Sequence, residues 1–175
     1  MRSRSTPAAP ELFEIRDNAE KVSPEDAKYF HTYVAKMLYL SKRVRPECLG
    51  AVSFLSTRVQ VCDVDDLRKL ERLLGYLAGT PDRGIVLRVG DRMSVRAYID
   101  AAYGVHTASG KSHCGEAGPV FVKSAKQKIV TKSSTESELV CLSDNASQAL
   151  HLKNFVIAQG YEVGPAILYQ DNMTS

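Results

Sequence analysis

Three carboxylates carry the chemistry latent in this chain: Asp100, closing Arg96-Ala-Tyr-Ile-Asp100; Glu138, in Lys132-Ser-Ser-Thr-Glu-Ser-Glu138-Leu; and Asp171, in Leu168-Tyr-Gln-Asp171-Asn. Asp100 and Asp171 each end an apolar, strand-like run, and Glu138 lies near the start of a long helical pattern. Folding can therefore draw three acids from distant sequence to one sheet edge. Like charges a few ångströms apart do not all ionise without a counter-cation, and a hard, oxygen-seeking Mg2+ or Mn2+ is the usual one. Each acid also has an ordinary structural reading. Thr135-x-x-Glu138 fits a capping box, Asp171-Asn172 an ordinary turn, and Asp100 a strand-end acid.

The elements that must position these acids fall into two textures. Residues 1–22, with Pro7, Pro10 and mixed charge, show no sustained periodicity and read as a flexible leader. Residues 23–80 read as a helical segment. Ser23-Pro24-Glu25-Asp26 supplies an N-cap, a proline at the first helical position and first-turn acids; Ala27, Phe30, Val34, Met37 and Leu38 then keep helical spacing. Arg45-Pro46 redirects the chain into a second helix with Cys48, Ala51, Val52, Leu55 and Val59 on one face. A third carries Leu67, Leu70, Leu74 and Leu77 before Gly79.

The turn-rich stretch Thr80-Pro81-Asp82-Arg83-Gly84 marks a boundary, and residues 81–175 read as a sheet-forming domain. Strands are expected over 84–89, 93–99, 119–123 and 128–131, with a Gly/Ser/His loop from Ala101 to Gly118. A helix is expected from Thr135 to about Gln159, with Leu139, Leu142, Ala146, Ala149 and Leu150 inward, and a last strand from Ala166 to Tyr169. The fold class is α+β: an N-terminal helical segment followed by a mixed sheet with a packed helix.

Composition admits this. A chain of 175 residues, 44% hydrophobic, buries roughly 70% of its unfolded surface. A net charge of +3 does not decide nucleic-acid binding, which depends on where the cations lie. Cys48, Cys62, Cys114 and Cys141 form no Cys-x-x-Cys pair, no secretory core follows the first residues, and no apolar run approaches a membrane span. These features predict a soluble, intracellular protein with reduced thiols. His106, His113 and Cys114 match no common zinc spacing. Asp65-Asp66 imitates a polymerase aspartate pair but opens a helix with Asp63 as its cap.

The ordered set of Asp100 after a strand, Lys126-Gln-Lys128, Lys132-Ser-Ser-Thr-Glu-Ser-Glu138-Leu and Leu168-Tyr-Gln-Asp171-Asn resembles the ribonuclease H domain of copia-type retrotransposon polyproteins. Upstream, Leu38-Tyr-Leu-Ser-Lys-Arg-Val-Arg-Pro46, Ala51-Val-Ser-Phe-Leu-Ser and Leu70-Glu-Arg-Leu-Leu-Gly-Tyr-Leu-Ala-Gly-Thr80 resemble the helices joining reverse transcriptase to that domain. The resemblance spans residues 11–175. It implies a ribonuclease H-like sheet and hydrolysis of RNA in RNA·DNA hybrids with Mg2+ or Mn2+. It further implies that Asp100, Glu138 and Asp171 are the first three of four metal-holding carboxylates. Glu138 is chosen over Glu136 because it directly precedes a hydrophobic residue. Ala102 and Tyr103 stand where many relatives have aspartate and tryptophan, and the fourth carboxylate is expected beyond Ser175. Lys126, Lys128 and Lys132, with Lys123, form a candidate phosphate-binding edge or an ordinary solvated face. Two other readings stay open: a catalytically incomplete remnant that binds nucleic acid or protein, and an interaction module made of residues 23–79.

Overall fold

The computed structural model describes residues 3–86, 93–106, 109–117 and 120–170. The chain divides into two units, Met1–Ile85 and Val86–Ser175.

The first unit is helical: α1 (Pro24–Arg43), α2 (Leu49–Arg58) and α3 (Val64–Gly79). Local chemistry starts two of them. The Ser23 hydroxyl accepts from the Asp26 amide at 3.1 Å, and the Asp63 carboxylate accepts from the amides of Asp65 and Asp66, both at 2.9 Å. Asp65-Asp66 thus belongs to a helix start, as its sequence context predicts. Phe30, Val34, Val52, Phe54, Leu55, Leu70, Leu73 and Tyr76 form the buried core. Arg45 donates to the Thr80 carbonyl at 2.9 Å and to Glu47 at 2.8 Å, tying the α1–α2 turn to the end of α3.

Residues 3–22 pack on this core rather than trailing from it. Leu12 is buried, Phe13 meets Phe54 edge-on with centroids 5.5 Å apart, and the Val64 amide donates to the Glu20 carbonyl at 3.0 Å. Periodicity fails to reveal this because the segment contributes single anchors, not a repeating face.

The second unit is a four-stranded sheet in the order β3-β2-β1-β4, built from β1 (Arg96–His106), β2 (Lys111–Ala117), β3 (Val122–Lys126) and β4 (Ile167–Tyr169). β1–β2 and β2–β3 are antiparallel and β1–β4 parallel; α4 (Ser134–Ala158) connects β3 to β4 and packs on β1. The protein is therefore α+β, a helical segment followed by a ribonuclease H-like mixed sheet with a packed helix.

Three local expectations change. The Gly/Ser/His stretch expected as a loop over 101–118 is largely strand among its described residues: β1 continues to His106, Gly110 lies in the left-handed region (φ +63°), and β2 runs from Lys111 to Ala117. Cross-strand pairing overrides the weak strand propensity of those residues. Residues 84–86 and 128–131 form no strand, while 87–89 lie outside the described residues. Leu139 and Leu150 face solvent at 59% and 54% exposure; the inward stripe of α4 is Ser137, Glu138, Cys141, Asn145 and Ala149. A strand surface touches a helix along one narrow line, and the small and polar residues occupy it.

Candidate functional site

Glu138 is placed by the start of α4. Ser133, not Thr135, is the N-cap: its hydroxyl accepts from the Glu136 amide at 3.1 Å, and the Glu136 carboxylate accepts from the Lys132 amide at 2.6 Å. The capping role proposed for Glu138 therefore belongs to Glu136. Two residues on, a rotation of roughly 200° carries Glu138 to the opposite, buried side of the helix. There it is 7% exposed. Its Oε1 accepts from the backbone N–H of Ala101 at 3.1 Å, and its Oε2 from the Gln170 side-chain amide at 2.8 Å.

Both donors are neighbours of the other two acids: Ala101 follows Asp100, and Gln170 precedes Asp171. The parallel β1–β4 ladder ends at the pair Tyr98↔Tyr169, so Ala101 lies just past the last ladder pair. Asp100 is exposed on the strand, and its neighbours Ile99 and Ala101 cluster with Cys141 and Leu142 of α4. By strand alternation the Asp100 side chain stands on the open face of the sheet with Tyr98, while Glu138 approaches from the helix side. Asp171 lies outside the described residues, and among those described no three His, Cys, Asp or Glu side chains form a metal-holding group.

Taken by itself, the buried Glu138 carboxylate is a hard oxygen donor of the kind a divalent cation takes. Among the described residues no Lys or Arg forms an ion pair with the buried Glu138 carboxylate. Two N–H donors satisfy it without neutralising it, an arrangement that leaves negative charge for a cation to balance.

Lys126, Lys128 and Lys132 are exposed around the β3–α4 connection. Lys123 is turned aside, donating to Asn145 Oδ1 at 2.9 Å. Two glutamines that motif matching overlooks hold the site's frame. Gln127, between two of these lysines, is 3% exposed and donates to the Ser137 carbonyl at 2.8 Å, fastening the first turn of α4; Gln170 orients Glu138. A polar residue flanked by apolar or motif residues is the only sequence signal for either.

His106 and His113 are buried, with Nε2 of the first 3.0 Å from Nδ1 of the second, and His113 Nε2 is 2.6 Å from Ser124 Oγ. Burial holds both imidazoles down to about 4; Lys126 adds to this for His106, and His106 for His113. Cys114 packs instead with Ile99 and Cys141. Adjacent strand residues point to opposite faces, so His113 and Cys114 do not converge on one ion.

Over 154 residues, 85% of its length, the chain is 32% identical to the retrovirus-related Pol polyprotein from transposon RE2 of Arabidopsis thaliana. It is equally identical over 155 residues to that from transposon RE1 of the same plant. The chain spans 10% of the length of each. It is also 30% identical over 124 residues to the secreted RxLR effector protein 161 of Plasmopara viticola, covering 87% of that protein and 68% of this chain. No protein-family model matches the chain, and no solved structure matches it significantly. The chain is thus similar, over most of its own length, to about a tenth of two retrovirus-related Pol polyproteins from plant transposons.

Proposed function

We propose that residues 81–175 are a ribonuclease H module in which Asp100, Glu138 and Asp171 hold Mg2+ or Mn2+ for hydrolysis of the RNA strand of an RNA·DNA hybrid. The observation that carries this reading is the Glu138 carboxylate, buried with no Lys or Arg ion pair among the described residues and hydrogen-bonded to the residue after Asp100 and the residue before Asp171. Bound divalent ions supply activation of a water and stabilisation of the leaving oxygen. The protein's part is positional. Ser133 and Glu136 start α4, Gln127 fastens its first turn, and Gln170 fixes the Glu138 carboxylate. Lys126, Lys128 and Lys132 offer contacts to backbone phosphates, and discrimination for RNA rests on its 2′-hydroxyls.

The test is degradation of labelled RNA in an RNA·DNA duplex with Mn2+. Cleavage lost in Glu138→Gln and kept in Glu136→Gln supports the assignment. Equal cleavage in both variants overturns it.

A second reading is a non-catalytic protein that binds nucleic acid or a protein partner. The position of Asp100 on the face away from α4 favours it, as does the 87% coverage of a relative bearing an effector name rather than a polymerase name. Hybrid binding without metal-dependent cleavage is its signature.

A further inference from the structure

We infer that the cavity between the N-terminal segment and α3 is a binding site for a nucleotide phosphate, separate from the carboxylates. This cavity, of about 320 Å3, lies wholly within the first unit. Its lining combines the apolar Pro7, Ala8, Ala9 and Leu12 with the guanidinium groups of Arg4, Arg68 and Arg72. Apolar and guanidinium groups in one lining suit a ligand with a flat or apolar body and an anionic end.

The charges do not cancel within the cavity. Five cations line it against three acids, Glu11, Glu14 and Asp65, leaving a surplus of two. Asp65 is already shared between Arg16 and Arg68, and Lys69 donates to the Glu14 carbonyl at 2.6 Å. Arg4 makes no ion pair or hydrogen bond among the described residues. Arg72 is oriented by a 2.8 Å bond from Nη2 to Thr6 Oγ1, while its Nε–H is buried with no acceptor among the described residues. The Nε–H is closed to solvent, so a ligand in the cavity meets the outer nitrogens of Arg72 and the guanidinium of Arg4; a phosphate, which accepts N–H donors from arginine, matches the surplus of positive charge.

The experiment uses the full chain with EDTA present, so that the carboxylate site contributes no metal-bound ligand and the two readings fail independently. Binding of adenosine 5′-monophosphate, of inorganic phosphate, and of a short single-stranded oligonucleotide with and without a 5′-phosphate is measured by calorimetry. Saturable, salt-sensitive binding of the mononucleotide or of the 5′-phosphorylated strand, tighter than phosphate alone, is expected; which of the two binds better identifies the source. Arg72→Gln and Arg4→Gln should each weaken it about tenfold, whereas Lys28→Gln, on the exposed face of α1, should not. The Arg4 side chain is exposed and makes no ion pair or hydrogen bond among the described residues, so its variant keeps the test valid should Arg72→Gln fold poorly. Unchanged affinity in Arg4→Gln, absence of saturable binding at millimolar ligand, or phosphate binding as tightly as the nucleotide would each overturn the inference.

Discussion

Gln170 donates a 2.8 Å hydrogen bond to the Glu138 carboxylate, joining the end of β4 to the second turn of α4. The residue before one candidate ligand thereby orients another across 32 positions of sequence. Gln170→Leu should remove this restraint while leaving Asp100 and Glu138 in place. Hybrid cleavage is expected to fall about tenfold or more, with Gln170→Glu worse than Gln170→Leu because a like charge would meet Glu138. Single-turnover rates in Mn2+ check the order.

Metal should stabilise the second unit. At about 100 times its Kd, a cation bound only by the native state adds about 2.7 kcal/mol. Thermal melting with and without Mn2+ should show an upward shift in the wild type and in Glu136→Gln, and a much reduced one in Asp100→Asn and Glu138→Gln. Equal shifts in all four would exclude binding at these acids.

The start of α3 depends on one guanidinium. Arg58 donates to Asp66 at 2.9 Å and to Asp63 at 3.0 Å, and Asp66 is 1% exposed. Burial raises the Asp66 pKa even with Arg58 opposing it. Arg58→Met should cost roughly 3 kcal/mol by leaving the buried carboxylates opposed only by Lys69, 3.9 Å from Asp66, measured by urea unfolding. A cost similar to Ser133→Ala, a simple cap loss of about 1 kcal/mol, would contradict this.

Acid should weaken the sheet through the histidine pair. His106 and His113 titrate near 4 in the folded state, against about 6.5 when unfolded. Between those values the unfolded chain binds more protons, so stability is full above pH 6.5 and declines as pH falls towards 4. A loss on the order of 2–3 kcal/mol for the first proton is expected. Urea unfolding at pH 7 and pH 5 measures it, and His106→Gln should flatten the difference.

Much of the helical architecture is legible in the sequence because caps and helix-breaking signals act within a few residues. Ser23-Pro24 starts α1 and Asp63 starts α3 through bonds spanning at most three positions. β2 is illegible for the converse reason. Ser112, His113 and Cys114 have no strand pattern of their own and become a strand by pairing with β1 on one side and β3 on the other.

At the site, the residue types and their order along the chain come from the sequence: acids at 100, 138 and 171, lysines at 126, 128 and 132, and a glutamate pair at 136 and 138. Which glutamate turns inward was decided by tertiary structure. Ser133 captures the helix start, Glu136 closes on the Lys132 amide, and the remaining phase of α4 presses Glu138, Cys141, Asn145 and Ala149 against β1 while Leu139 and Leu150 face outward. Hydrophobicity alone ranks those leucines as core. Contact with the sheet runs along a single stripe of the helix, and the geometry of that stripe, set by β1 and by the bonds from Ala101 and Gln170, buries a carboxylate in preference to a leucine.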